Sequence, residues 1–286
     1  MSHIKIFIEL TRLNKPIGFM LLFWPCSWGL AYAYSFNGDI NLFFQYLILF
    51  FLGSVLMRSA GCIFNDIVDK DYDKKVSRTK FRPIAAGKIS VRQALVYVLV
   101  LCFLAFLVLI QFNFFTITLG ISSMLLAFSY PFMKRITYWP QLFLGVTFNW
   151  GIIMAWSAIN NNISIEIVVL YISAIFWTLG YDTIYGVQDM SDDEIIGLKS
   201  TSIKFKKNIK TFVSFSYLIT LSVLIFLFKN FLGINIFSLL ILMFTLSLLF
   251  QILKFKKNNS KSCLEAFKFN NVSGFILFLA IITINF

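Results

Sequence analysis

The sequence predicts an all-α, polytopic membrane protein, with about nine transmembrane helices surrounding a central cavity. Three observations carry that reading. Of 286 residues 59% are hydrophobic and 13% charged, against about a quarter charged in a soluble domain. Apolar runs of about 17 residues or more, long enough to cross a bilayer, recur from end to end. Basic residues collect in alternate loops, the positive-inside pattern.

The predicted spans are 17–35, 42–62, 93–111, 113–130, 140–158, 165–186, 211–228, 233–253 and 269–286. Lys15-Pro16 leads into the first run without a small-residue cleavage site, so that helix doubles as the insertion signal. The third and fourth runs are separated only by Gln111-Phe112-Asn113, which fits an antiparallel hairpin. Almost nothing lies outside membrane helix, so residues 1–286 are read as one integral domain.

The net charge of +12 could suggest nucleic acid, but its distribution excludes that partner. Three Lys and Arg precede the first span, with eight in 63–92, two in 131–139, five in 187–210 and five in 254–268. Only Lys229 falls in an opposite loop, and Arg58 lies within the second span. The N-terminus is therefore expected on the cytoplasmic side of a bacterial-type inner membrane, with the C-terminus across it. The basic stretch 254–268 fixes topology and touches anionic lipid. Cys26, Cys62, Cys102 and Cys263 show no pairing or metal spacing, so no disulfide is expected. The sole histidine, His3, is expected in a floppy N-terminus, which disfavours a His base. No Walker-type phosphate loop is found, and no feature marks a protein partner.

Nine of the thirteen acids sit in two clusters, each where a span ends on the basic side. The first is Asn65-Asp66-Ile67-Val68-Asp69-Lys70-Asp71-Tyr72-Asp73; the second holds Asp182, Asp189, Asp192, Asp193 and Glu194. If the second helix continues past Cys62, Asn65, Asp69 and Asp73 share one face at i, i+4 and i+8. If the sixth continues likewise, Asp182, Tyr185, Asp189 and Asp193 form a matching stripe. Bare carboxylates so placed repel by a few tenths of a kcal/mol per pair. Mg²⁺ resolves that conflict, because it takes one or two carboxylates and fills its shell with water and substrate phosphate.

Bases stand beside the acids: Lys70, Lys74, Lys75, Arg78, Lys80 and Arg82 after the first cluster, Lys134 and Arg135 after the fourth span, Lys199 after the second cluster. Metal-holding acids alternating with anion-holding bases make a diphosphate site. A diphosphate head at this mouth would leave its apolar tail among Phe-rich helices, and its loss would leave an allylic cation. Either cluster alone reads as a solvated loop; two on one side favour a metal site. Arg58 has two readings, ion-pair partner or substrate contact, and Arg12 by position alone is a topology charge. The rival class is a cation transporter. Against it, the acids gather at one face beside many bases.

At these residues the chain resembles the UbiA family of intramembrane aromatic prenyltransferases, and within it the hydroxybenzoate branch. The likeness runs from Arg12-Leu13-Asn14-Lys15-Pro16-Ile17-Gly18 through the Asn65, Asp69, Asp73 motif and Arg82-Pro83-Ile84. It continues through Ser129-Tyr130-Pro131-Phe132-Met133-Lys134-Arg135 to Tyr181-Asp182-Thr183-Ile184-Tyr185 and Gly197-Leu198-Lys199-Ser200-Thr201. Gly186-Val187-Gln188 departs from the family's usual Ala-Met-Val, away from the chemistry. The resemblance implies Mg²⁺-dependent transfer from polyprenyl diphosphate to the ring carbon ortho to the hydroxyl of 4-hydroxybenzoate, in ubiquinone biosynthesis. It implies metal ligation by Asn65, Asp69, Asp73, Asp189 and Asp193, the four Asp being catalytic, supported by Asp66 and Asp192. Arg78, Arg82, Tyr130 and Lys134 would lie near the diphosphate, with Tyr185 and Asp182 lining the same cavity. Arg12 and Arg135 would meet the acceptor's carboxylate. Haem, homogentisate or dihydroxynaphthoate remain alternative acceptors. A CDP-alcohol phosphotransferase would carry a DGxxAR signature, which is not found.

Overall fold

The computed structural model describes residues 3–285, and these form helices joined by turns, with no strand among them. Phe286, the end of the last predicted span, lies outside the described residues. The helices are α1 (His3–Thr11), α2 (Ile17–Asn37), α3 (Ile40–Val68), α4 (Lys70–Asp73), α5 (Val91–Leu109), α6 (Phe114–Ser129), α7 (Met133–Ile136) and α8 (Pro140–Asn160). After them come α9 (Ile165–Gly186), α10 (Met190–Ile195), α11 (Thr201–Lys204), α12 (Ile209–Leu227), α13 (Ile236–Lys254) and α14 (Ser260–Ile282). Among the described residues nine segments are long and apolar enough to cross a membrane, the fourth running Phe114–Ile136 through α6 and α7. The chain is a multi-pass membrane protein.

Apolar hydrocarbon leaves an unpaired backbone N–H costly, so helix ends need partners. Side chains at the turns supply them. Asp39 accepts from the amides of Asn41 and Leu42 at the start of α3. Ser90 and Gln93 form a capping box on α5. Asn113 caps α6 through the Thr116 amide, while its own amide donates to Ser157 O at 2.8 Å and Ala158 O at 3.0 Å on α8. One residue thus starts a helix and ties it to its neighbour.

Two helices approach where small residues let them, as membrane interfaces generally require. A Cβ on Gly29 of α2 would sit 2.4 Å from the carbonyl oxygen of Ile152 on α8, so only glycine fits that crossing. Trp28 Nε1 donates to Gly274 O at 2.9 Å, joining α2 to α14. Leu99, Phe103, Leu125 and Leu253 point outward, as lipid-facing residues do. Between α2, α3, α6, α8 and α9 remains a cavity of about 1140 Å³.

Four expectations are corrected. The second span runs to Val68 and the last begins at Ser260, where Asn259 caps it by accepting from the Ser262 amide. His3 is not in a floppy segment: it begins α1, whose Ile6 and Leu10 pack into an apolar cluster with Ala60, Ile63 and Val98. The acidic stripes are not carried by unbroken helices. α3 stops at Val68 and α9 at Gly186, where i to i+3 hydrogen bonds such as Gln188 N to Tyr185 O tighten the chain.

Candidate active site

Both acidic clusters stand at the same end of the bundle, because the helices that carry them are separated by an odd number of crossings. At the first, the break after Val68 costs little register. Asp69 N still bonds Asn65 O at 2.9 Å and Asp73 N bonds Asp69 O at 2.8 Å. Asn65, Asp69 and Asp73 consequently all line the cavity. Their charges are met from other elements. Lys134 Nζ donates to Asp69 Oδ2 at 2.5 Å, and Asn65 Nδ2 donates to the same oxygen at 3.0 Å. Arg82 Nη1 bridges Asp66 at 3.0 Å and Asp73 at 2.8 Å, and Arg12 Nη2 reaches Asp66 at 2.5 Å. Arg12 holds a left-handed backbone, φ +56°, uncommon for a bulky residue. Burial raises the Asp73 carboxyl above its ordinary range despite Arg82.

The second cluster is built on turns. Gly197, φ +78°, ends α10 with Leu198 N bonding Asp193 O at 2.9 Å, and the chain then lays Lys199 N on Lys134 O at 2.8 Å. That hydrogen bond fastens the second cluster to the turn that supplies Lys134. The loop after α4 crosses over from the first cluster. Arg78 Nε donates to Asp189 Oδ1 at 2.6 Å, its Nη2 to Asp189 Oδ2, and its Nη1 to Tyr185 Oη at 3.2 Å. Ser77 N donates to Asp192 Oδ2 at 2.8 Å. Asp193 faces the cavity with no side-chain partner; burial, then the Asp189 charge, pushes its carboxyl up to about 6.

Two helical turns deeper lies a second polar layer. Arg58 precedes Asn65 by seven residues on one face of α3, and Asp182 lines the cavity from the last full turn of α9. Arg58 Nε is buried without a hydrogen-bond partner, and its guanidinium sits 5.3 Å over the Phe148 ring. Tyr130 and Tyr181 line this level too. Beyond it the walls are apolar, running past Phe19 and Phe50 to Phe112 at the opposite face. Seven of the 35 Phe line the cavity, so most pack or face lipid.

Twelve of the sequence-predicted site residues line this one hollow: Arg12, Asn65, Asp69, Asp73, Arg78, Arg82, Tyr130, Lys134, Asp182, Tyr185, Asp189 and Asp193. Arg135 does not. Its Nη2 donates to Val68 O at 2.8 Å and, at 3.4 Å, to Asp69 Oδ1 from behind, and its guanidinium stacks over Tyr72. The residue that sequence reasoning left undecided is Arg58. The signal was its spacing of seven residues from Asn65, as the sole basic residue of the span.

Among the described residues no three or more acids already converge as a metal cluster. Lysine and arginine neutralise them instead. The oxygen-rich donor set nonetheless suits Mg²⁺, which needs only one or two carboxylates with water and phosphate.

Comparison with known proteins fits this geometry. The family model described as the UbiA prenyltransferase family matches residues 22–279. A Bos taurus protein named 4-hydroxybenzoate polyprenyltransferase, mitochondrial, is 43% identical over 282 residues, 96% of this chain and 74% of that one. The Homo sapiens protein of the same name is 49% identical over 209 residues, 73% of this chain, which spans only 56% of its length. A UbiA homolog from Aeropyrum pernix K1 superposes with a TM-score of 0.77 at 22% identity, covering 93% of this chain and 98% of that one. The UbiA homolog from Archaeoglobus fulgidus bound to DMAPP and Mg2+ gives 0.71 at 19% identity, covering 97% and 99%. On the family match and the relatives' identity, the chain belongs to the UbiA prenyltransferase family.

Proposed function

We propose that the protein transfers a prenyl group from polyprenyl diphosphate to the ring carbon ortho to the hydroxyl of 4-hydroxybenzoate, releasing diphosphate, as a step in ubiquinone biosynthesis. One observation carries this reading. Acids of both clusters, interleaved with Arg and Lys, crown a single cavity that becomes apolar toward the opposite membrane face. A charged head with a long hydrocarbon tail matches that division.

Asn65, Asp69, Asp73, Asp189 and Asp193 would hold Mg²⁺, whose chemistry here is to neutralise the diphosphate and ease departure of the leaving group. Lys134 and Arg78 now occupy Asp69 and Asp189. When the anionic head enters, these cations transfer to its oxygens, with Arg82 and Tyr130 beside them. The acceptor lies in the deeper layer, its carboxylate on Arg58, the cavity cation whose Nε has no partner. The expected alternative, Arg12, is already engaged by Asp66. A pocket walled by Phe148 and Tyr181 keeps water from the allylic cation. Holding both reactants replaces a dilute encounter and supplies up to about 7–11 kcal/mol in ideal cases.

The charge pattern supports a mouth and N-terminus on the cytoplasmic side of an inner membrane, or on the matrix side for a mitochondrial enzyme like the named relatives. The deciding assay incubates purified protein with 4-hydroxybenzoate, geranyl diphosphate and Mg²⁺, with product read by mass spectrometry. Prenylated acid that disappears with EDTA is expected; ion flux without prenyl transfer would favour the transporter class.

A further inference from the structure

Among the described residues, each acid of the two clusters but two has a partner: Asp66, Asp69, Asp71, Asp73, Asp189 and Glu194 pair with cations, and Asp192 with an amide. Asp193 is one exception and belongs to the metal layer. The other is Asp182, within the membrane span of α9, lining the cavity with no hydrogen bond or ion pair to its side chain. A carboxylate at that depth is costly, and structural ones are paired or bonded to backbone. An unpaired one aimed into a substrate cavity is held there for something that arrives.

We propose that Asp182 is the catalytic base that takes the ring proton of the aromatic acceptor. The proposal rests on the prenyltransferase reading of this cavity and names the proton acceptor that the reading leaves open. Asp182 lies within α9, about 6 Å along the helix from its end at Gly186 and below the turn that carries Asp189. The diphosphate's charge is therefore spent elsewhere. Arg58 is the cation whose charge acts on Asp182, and both act on Tyr130. An acceptor with its carboxylate on Arg58 spans the cavity toward the opposite wall, where α9 places Asp182.

The step balances as follows. The C1–O bond of the donor breaks and diphosphate leaves with the electron pair. The ring carbon beside the hydroxyl forms the C–C bond with its π electrons. The Asp182 carboxylate then removes that carbon's proton, the C–H pair restores aromaticity, and the proton passes from Asp182 to water.

The test compares the unsubstituted enzyme with Asp182→Asn and Asp182→Glu, using geranyl diphosphate and 4-hydroxybenzoate carrying deuterium at both positions flanking the hydroxyl. Mg²⁺-dependent binding of the unreactive geranyl thiolodiphosphate reports the fold. Asp182→Asn is expected to slow transfer by about 10²–10⁴-fold, the range of general-base catalysis. Donor affinity should stay within about threefold, marking a loss made only in the reacting complex. A ring-deuterium isotope effect should emerge in Asp182→Asn that the unsubstituted enzyme lacks, and Asp182→Glu should regain part of the rate. Three results overturn the proposal: near-normal turnover by Asp182→Asn, a slowed variant with intact donor binding but no isotope effect, or donor binding lost in both variants. Failure of the unsubstituted enzyme to form product strikes the functional reading itself.

Discussion

The mouth of the cavity and its deeper layer handle charge in opposite ways. At the mouth, Asp66, Asp69, Asp73 and Asp189 each carry a cation supplied by another element. Deeper in the cavity, the side chains of Arg58 and Asp182 have no hydrogen bond among the described residues. Pairing at the mouth satisfies the buried acids until a metal and a charged diphosphate arrive to exchange partners. On the proposed reading, the deeper layer takes an aromatic acid that brings its own carboxylate and proton. The contrast teaches that saturation marks the exchangeable part of a site, and vacancy marks the part that a specific ligand completes.

The largest effect is expected at the mouth. Asp69→Ala or Asp189→Ala should abolish turnover, by about 10³-fold or more, because each removes charge stabilisation of the leaving group. Asp69→Asn, which keeps the shape, separates lost chemistry from the unpaired Lys134 that alanine leaves. Wild-type rates in these variants would break the distinction between layers.

Next comes the floor. Arg58→Ala should raise the acceptor KM about 10–100-fold, the worth of a charge-assisted hydrogen bond, while the donor KM stays unchanged. A rise in the donor KM instead would move Arg58 into the diphosphate layer. Acid should sharpen the comparison further. A proton and the metal compete for Asp193, whose carboxyl burial, reinforced by Asp189, has pushed up to about 6. Mg²⁺-dependent donor binding should therefore strengthen as pH rises through that value and weaken below it, as titration calorimetry would show. The smallest effect belongs outside both layers. Lys206→Ala breaks a half-exposed pair with Glu194; such pairs contribute about 0–1 kcal/mol, so rate and thermal midpoint should hardly move.

How far the site was legible varies by residue. Asn65, Asp69 and Asp73 could be placed together from spacing alone, because the chain keeps helical hydrogen bonds through the break at Val68. Asp189 and Asp193 were correctly grouped on the wrong geometry. Their helix ends at Gly186, and a turn followed by α10 brings them back to the cavity. Arg135 and Arg58 show the limit. Arg135 adjoins Lys134 in sequence but reaches the Val68 carbonyl and the back of Asp69, whereas Arg58, within its span, faces the hollow. Lys134 and Arg135 both reach the Asp69 carboxylate, yet only Lys134 also lines the cavity, a difference set by the packed partners.

By itself the sequence determined what depends on local and one-dimensional terms. Hydrophobic length set the spans, and motif spacing set that Asn65, Asp69 and Asp73 share a face. The tertiary structure decided what depends on distant segments: the pairing of Lys134 with Asp69 and Arg78 with Asp189, and the exposure of Asp182 to the cavity with no side-chain hydrogen bond among the described residues. Electrostatic partnership falls off over a few ångströms, while these residues are 65 and 111 positions apart. No local pattern encodes it until the helices have packed.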